Sequence, residues 1–378
     1  MIENDNIPVN TPLLVGNELK YISEAIESSW VSSEGPFVEK FERTIAQKVA
    51  REHGIAVSSG TAALDVAVAA LKIEEGDEVI VPTHTIISCV LQVVRSGAIP
   101  VFVDSDQLTW NMDVTQIEDK ITHRTKAIMA VHLYGLPADM DEILALATKY
   151  GLFVIEDASQ VLGQTYRGKP CGSFGDISTT SFYPNKFITT GEGGMCLTNN
   201  SELAIRCQRL RNLCFKPGKR FVHEELGWNY RMTNLQAAIG VAQVERLDEH
   251  VKRKRAIGDK YGELLGTRTC LQLPLTNTDY AENIFWVFGV VLPKDIKLDN
   301  EYTMRELAKR GIGSRPFFFP LHQQPVFTQL GMFKNEKYPV AEHLSQKGFY
   351  VPCGIGITDE EISRCSVELI KVLDKMVI

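Results

Sequence analysis

The sequence lacks several features that would assign it to common classes of protein. None of its eight cysteines belongs to a C-x-x-C pair, which argues against a zinc ribbon or a thioredoxin-type redox site. No apolar run approaches the roughly 18 residues that a membrane-spanning helix needs. The polar, acidic start of the chain has neither the basic nor the apolar region of a secretory signal. We therefore expect a reduced, cytoplasmic protein that does not contact a membrane.

Two nucleotide-binding motifs are also missing. No G-x-G-x-x-G stands between a strand and a helix, which argues against a nicotinamide dehydrogenase. The segment 163–170 imitates a P-loop, but Pro170 occupies the position of the magnesium-binding Ser or Thr. The net charge of −7 gives no general attraction to nucleic acid, and we expect the basic run 252–255 to be the solvated face of a helix. We predict neither a nucleic-acid partner nor a metal site.

The sequence does contain a regular alternation of short apolar strands with helices. Such an alternation indicates a mainly parallel sheet that is covered by helices on both faces. The strands are predicted at residues 55–57, 78–81, 99–103, 126–132 and 152–155. From about residue 237 the pattern changes to a long charged helix followed by mixed elements. We predict an α/β fold with a large domain over residues 1–240, which includes an N-terminal arm, and a smaller α+β domain over residues 241–378.

Three local signals fall where the strands of such a sheet end, which is where ligands bind. At Ser59-Gly60-Thr61 a strand passes through a tight turn into a helix, whose free N–H groups favour a phosphate. The same residues could simply cap that helix. Asp157 ends an apolar strand, where it could cap a turn or hold a protonated heterocyclic nitrogen.

Lys186 is the third signal. It follows an apolar strand and precedes a glycine-rich turn, where desolvation would lower its pKa and expose a nucleophilic amine. A lone lysine in a turn is usually solvated. However, a phosphate site, a pyridinium partner and a Schiff-base lysine, with the Ser181 hydroxyl nearby, together match the needs of pyridoxal 5'-phosphate (PLP).

With these residues in hand, the sequence resembles the PLP fold-type I enzymes, which are aspartate-aminotransferase-like, and more narrowly the nucleotide-sugar aminotransferases. Several segments carry the resemblance, from Ser29-Trp30-Val31-Ser32-Ser33 and Ser59-Gly60-Thr61-Ala62-Ala63-Leu64 through His132-Leu133-Tyr134-Gly135, Ile155-Glu156-Asp157-Ala158 and Asn185-Lys186 with Thr189-Thr190-Gly191-Glu192-Gly193-Gly194 to Trp228-Asn229-Tyr230-Arg231-Met232-Thr233-Asn234. The implied fold has a mixed, mostly parallel sheet flanked by helices in the large domain.

The resemblance implies a set of cofactor contacts: Ser59, Gly60, Thr61, Ile86, Asp157, Gln160, Ser181, Lys186 and Asn229. Lys186 and Asp157 are the implied catalytic residues. Lys186 forms the Schiff base with PLP and later shuttles a proton, while Asp157 pairs with the pyridinium nitrogen. Gln160 lies near the 3-hydroxyl, and Ile86 covers the ring where relatives usually have an aromatic residue. Asn229 reaches the phosphate of the neighbouring subunit, so a homodimer with shared active sites is expected.

The implied reaction transfers an amino group from glutamate, through pyridoxamine phosphate, to a nucleotide-linked keto-sugar. The implied substrate-binding residues are Trp30, Ser32, Arg231, Arg315 and His322. Within the family, the sequence is most similar to enzymes that aminate C4 of GDP-4-keto-6-deoxymannose to give GDP-perosamine, an O-antigen precursor.

Three alternatives stay open. The substrate could be another UDP- or dTDP-linked keto-sugar aminated at C3 or C4. The family also has a 3-dehydratase branch, but that branch replaces the lysine with histidine, whereas this chain has Lys186. The third alternative is a PLP-binding regulator without catalysis, which the presence of Lys186, Asp157 and Ser181 disfavours.

Overall fold

The computed structural model describes residues 6–216, 218–267, 271–296 and 299–374. The β-strands are β1 (His53–Val57), β2 (Glu78–Pro82), β3 (Ile99–Val103), β4 (Thr125–Val131), β5 (Phe153–Asp157), β6 (Thr165–Tyr166), β7 (Lys169–Pro170), β8 (Ile177–Ser181), β9 (Gly194–Thr198), β10 (Phe215–Lys216), β11 (Lys219–His223), β12 (Phe288–Val291), β13 (Arg315–Pro316) and β14 (Gly348–Val351). The α-helices are α1 (Glu18–Glu27), α2 (Pro36–Lys48), α3 (Gly60–Ala70), α4 (Ser88–Arg95), α5 (Ile117–Lys120), α6 (Met140–Tyr150), α7 (Ser201–Arg211), α8 (Asn234–Val244), α9 (Leu247–Leu265), α10 (Asn300–Ala308), α11 (Pro325–Gln329), α12 (Pro339–Lys347) and α13 (Asp359–Asp374).

The central sheet has seven strands in the order β1-β9-β8-β5-β4-β2-β3. The five strands from β8 to β3 run parallel, whereas β9 runs antiparallel between β1 and β8. Strands such as β2 are buried along their whole length, because helices cover the sheet. The predicted mixed, mostly parallel sheet is confirmed, and each predicted strand overlaps an observed one.

A second, antiparallel sheet in the order β12-β14-β13 belongs to the C-terminal part of the chain. There α13 packs on α9 and α10, and α12 packs on β14. The division into domains at residue 240 stays a prediction; that residue lies inside α8, which packs against α1 and α2.

One expectation about surface residues is wrong. Lys254, in the basic run on α9, is only 1% exposed, and its Nζ donates to the carbonyl oxygens of Trp286 and Cys353, each at 2.6 Å. A lysine is buried only if its ammonium group finds acceptors, and these two carbonyls supply them. The P-loop-like segment, in turn, forms the hairpin of β6 and β7.

The cysteines of the described residues are buried free thiols, while Cys270 lies outside the described residues. Among the helices that the structure describes, none combines the length and the apolar character that crossing a bilayer requires.

The packing of α8 on α2 depends on Gly240. A Cβ atom at this position would lie 2.6 Å from Phe41 Cε2 and 2.8 Å from Thr190 Cγ2, which is closer than van der Waals contact allows. We expect Gly240→Ala to lower the free energy of unfolding by about 1–3 kcal/mol through overpacking. Gly262→Ala on α9 is the matched control, because nothing lies within 4 Å of the position that its added methyl group would take.

The control should raise the free energy of unfolding by about 0.5–1 kcal/mol, because alanine favours the helix. Urea denaturation of both variants checks the pair. Equal effects of the two substitutions would contradict the tight α2–α8 contact.

Candidate active site

Most of the predicted cofactor residues surround one cavity of about 370 Å³, which we call the first cavity. It lies where β5 and β8 end and α3 begins. The predicted residues that line it are Ser59, Gly60, Thr61, Ile86, Asp157, Gln160, Ser181 and Lys186. Asn229 is the exception, since it lies outside this cavity and bridges to Asn212.

The start of α3 satisfies both interpretations of its sequence. The Ser59 hydroxyl caps the helix by accepting a hydrogen bond from the Ala62 amide at 3.0 Å. Within the described residues, the amides of Gly60 and Thr61 have no hydrogen-bond partner. The cap therefore leaves two N–H groups free at the positive end of the helix, where an anion binds well.

Gly60 allows Ser181 to approach this helix end. A Cβ atom at position 60 would lie 2.7 Å from Ser181 Cβ and 3.0 Å from its Oγ, so any side chain would fill the gap. Two free amides beside a hydroxyl form a cradle of the kind that a phosphate group needs, and these residues fit the phosphate of PLP.

Asp157 is a buried carboxylate, only 3% exposed. Its Oδ1 accepts a hydrogen bond from the Ser159 amide at 3.0 Å, and its Oδ2 accepts one from the Cys89 thiol at 3.6 Å. Burial and the adjacent carboxylate raise the pKa of Cys89 well above its usual value, so the thiol keeps its proton. No cationic side chain in the described part of the chain forms an ion pair with Asp157, which fits a carboxylate that awaits a pyridinium.

Lys186 is half-buried, and its Nζ lies 3.8 Å from the centroid of the Trp286 ring. Burial lowers the pKa of Lys186 to about 8, against the opposing influence of Asp157 and Cys89. At near-neutral pH a larger fraction of Lys186 side chains is therefore free amine than for an ordinary lysine.

Gln160 and Ile86 complete the first cavity. The Gln160 Oε1 accepts a hydrogen bond from the Tyr134 amide at 2.8 Å, which orients the carboxamide and leaves its NH₂ group available to a ligand. The Ile86 side chain is 45% exposed, so it can cover a ligand ring by van der Waals contact.

The predicted substrate residues do not all meet at the first cavity. Trp30, Ser32 and Arg231 line a second cavity of about 1050 Å³. Arg315 is exposed on β13, next to Pro316, which lines the first cavity.

His322 lines neither cavity. It is 4% exposed, its Nδ1 lies 2.8 Å from Thr83 Oγ1, and its Nε2 lies 3.2 Å from Glu342 Oε1. Both ring nitrogens are thus occupied by other side chains of the protein.

Sequence reasoning missed Trp286 and Cys89. Trp286 reaches the site from the C-terminal part of the chain, where no local motif marks it. Cys89 is one scattered cysteine among eight, and only its position on α4 beside Asp157 reveals a contact.

The lowered pKa of Lys186 predicts unusual reactivity in the ligand-free protein. At pH 8 about half of the Lys186 side chains should be free amine, whereas an ordinary lysine with a pKa near 10.4 is less than about 1% free. Acylation with a small reagent between pH 6 and 11, followed by peptide mass spectrometry, measures the midpoint for each lysine. A midpoint near that of surface lysines would contradict the desolvated position of Nζ.

The chain is similar to known proteins over nearly its whole length. It matches the DegT/DnrJ/EryC1/StrS aminotransferase family over residues 12–369. It is 43% identical to the GDP-perosamine synthase of Escherichia coli O157:H7, covering 94% of this chain and 95% of that one. It is 42% identical to the GDP-perosamine synthase of Caulobacter vibrioides, covering 99% and 100%.

Solved structures have the same fold. The Streptococcus pneumoniae protein Spr1654 in its PLP form superposes with a TM-score of 0.91 at 25% identity, covering 99% of this chain and 100% of that one. The predicted fold class, enzyme class and resemblance are confirmed, and so is PLP as the cofactor of the family. This chain belongs to the DegT/DnrJ/EryC1/StrS aminotransferase family.

Proposed function

We propose that this aminotransferase moves the amino group of glutamate to the C4 ketone of a nucleotide-linked 4-keto-6-deoxyhexose. GDP-4-keto-6-deoxymannose is the favoured substrate, which would make GDP-perosamine the product. The observation that carries the proposal is the single cavity that Lys186, Asp157 and the free amides of α3 share. The names of the relatives over nearly the full chain support the sugar.

In this proposal the cradle at α3 and Ser181 would hold the phosphate of PLP, and the Gln160 carboxamide would bind its 3-hydroxyl. Asp157 holds the protonated ring nitrogen, because a buried carboxylate fixed by Ser159 and Cys89 gains most from a cationic partner. When bound, PLP supplies an electron sink that stabilises negative charge on the carbon that loses a proton.

Lys186 moves the proton. Its amine, with a pKa of about 8, accepts a proton at Nζ and returns it at a neighbouring carbon, because both protonation states are populated near the working pH. The burial that lowers this pKa also keeps Nζ away from bulk water, so the proton stays within the site.

The second cavity suits the nucleotide-sugar. Trp30, with a half-exposed ring, can pack against a flat or apolar part of the ligand, and Arg231 and Lys219 bring positive charge to a diphosphate. Cofactor and sugar cavities in separate places support a homodimer, in which one protomer's second cavity faces its partner's first.

Exposed apolar side chains in the segment 221–226 support the same arrangement. Leu226 is 93% exposed and Phe221 74%, in the segment that leads to Asn229 and Arg231. Large apolar residues exposed together mark an interaction surface, and a second copy of the chain would cover them. Asn229 would then reach the partner's phosphate site.

The decisive experiment offers glutamate and a panel of GDP-, UDP- and dTDP-linked 4-keto-6-deoxy sugars to the PLP-loaded enzyme. We expect 2-oxoglutarate and an aminated sugar, with the GDP-linked substrate turned over fastest. Turnover of a 3-keto sugar alone would overturn the C4 assignment, and turnover of a UDP- or dTDP-sugar alone would overturn the nucleotide.

Lys186→Ala tests the catalytic lysine. This variant should lose turnover and the covalent PLP adduct that borohydride leaves on Lys186, because no other amine replaces Nζ. Peptide mass spectrometry after borohydride treatment detects the adduct. Lys40→Ala, a substitution on α2 outside both cavities, serves as the control and should retain both properties.

Mixing two variants, each of which lacks one of the two residues, tests the shared site. Lys186→Ala and Asn229→Ala, unfolded and refolded together, should recover up to about a quarter of the wild-type activity, since half of the random dimers contain one intact site. Recovery requires that Lys186 and Asn229 of the same site belong to different protomers. A mixture no more active than its components would rule out that arrangement.

A further inference from the structure

Trp286 is fixed against the active-site lysine by two contacts. Its ring centroid lies 3.8 Å from Lys186 Nζ, and its indole N–H donates to the backbone oxygen of Asn185 at 2.7 Å. The side chain is only 4% exposed. We propose that Trp286 is a positioning residue whose ring face receives the Lys186 amino group whenever that group is free, while its indole N–H holds the backbone of the lysine turn.

Trp286 is itself held from behind. The buried Lys254 donates from Nζ to the Trp286 carbonyl oxygen and to that of Cys353, each at 2.6 Å. The Tyr134 ring lies nearly parallel to the indole, at an interplanar angle of 7° and a centroid distance of 6.4 Å. The indole therefore has little freedom to turn away, and α9 is connected through it to the lysine turn.

The ring acts on the amine in two opposing ways. Its π face attracts the ammonium form, and its bulk excludes water, which favours the free amine. Burial is the main cause that lowers the pKa of Lys186 to about 8, and the Trp286 ring, 3.8 Å from Nζ, is one of the groups that bury the amine. The ring face thus holds the amine of Lys186 away from water until the amine returns to the cavity.

Other ionisable groups also face this amine. Asp157 from β5 and Cys89 from α4 both raise the pKa of Lys186. The remaining ionisable side chains around the cavity are Tyr134, Tyr183, Glu192 and Tyr350. Of these four, Tyr134 packs against the Trp286 ring, so the variants are compared with a control that alters the packing around Tyr134 without removing Trp286.

The first test uses the protein without PLP, so its outcome is independent of the proposed function. Trp286→Ala should raise the midpoint of Lys186 acylation by about one pH unit, because water reaches Nζ. Trp286→Phe keeps an aromatic face and should stay within about 0.3 pH units of wild type. An unchanged or lowered midpoint in Trp286→Ala would overturn the proposal.

A second measurement avoids any loss of folding in the alanine variant. An ammonium group against an indole changes its fluorescence, so the tryptophan emission of the wild-type protein should titrate with a midpoint near pH 8. Lys186→Met replaces the lysine with an apolar chain of similar length and should abolish this change. If Lys186→Met titrates like wild type, the contact between Nζ and the ring does not exist in solution.

Trp110→Phe is the matched control. Trp110 is another buried tryptophan, 2% exposed, whose indole N–H has no partner among the described residues. It packs against Tyr134 and Phe317 rather than Lys186. This variant should retain both the fluorescence titration and the acylation midpoint, and loss of either would show that the signal comes from general repacking.

The consequence for the reaction rests on the proposed function. Trp286→Phe should lower kcat about tenfold with little change in the KM for the keto-sugar, because the lysine turn loses its indole tether while the sugar cavity is untouched. If the wild-type enzyme transfers no amino group, the proposed function fails while both measurements without PLP still decide the role of Trp286.

Discussion

Strand β9 holds the active-site edge of this protein together. Its first residue, Gly194, pairs with Val57 at the end of β1 and with Ser181 at the end of β8. A Cβ atom on Gly194 would lie 2.3 Å from the Ser59 carbonyl oxygen, so only glycine allows this approach. The helix end and the hydroxyl of the phosphate cradle come from segments more than a hundred residues apart. Strand β9 brings them together, because it pairs with both β1 and β8.

The chemistry depends on two groups whose charges are costly at this edge. The pairing of β5 with β8 places Asp157 opposite Thr179, on the strand that leads towards Lys186. A carboxylate and an amine that share a cavity with little water lower the free-energy cost of burying each other's charge. Neither forms a direct ion pair within the described residues. In such a site the carboxylate favours a cationic ring and the amine releases a proton readily, and transamination needs both properties.

The segment around Asn229, which lies outside this cavity, is tied to α3 through Tyr230. The Tyr230 carbonyl oxygen accepts a hydrogen bond from the Ser58 amide at 2.8 Å, and its hydroxyl donates to Asp65 on α3 at 3.0 Å. Asn229, the residue before Tyr230, is exposed, and these two hydrogen bonds tie its segment to the helix that forms the phosphate cradle. This geometry supports the proposal that the segment serves a partner's site.

The sequence could predict much of the candidate cofactor cavity, because the signals for its lining residues are local. Each signal is contained in a few residues: a strand that ends in Ser59-Gly60-Thr61, an acid at the end of β5, and a lysine before a glycine-rich turn. The rule that ligands bind where parallel strands end then brings them together. The alternation of strands and helices similarly predicted the sheet, because burial on both faces requires continuous apolar strands.

Other features were decided only by the tertiary structure. Trp286 reaches Asn185 across 101 positions of sequence, and Lys254 reaches Trp286 across 32. The sequence pattern places Lys254 in solvent because a run of basic residues says nothing about carbonyl groups that a distant segment brings to it. His322 likewise turns to Thr83 and Glu342 rather than to a cavity. Local sequence determines which groups are present, whereas packing between distant segments determines which of them lose their water, and that loss sets their chemistry.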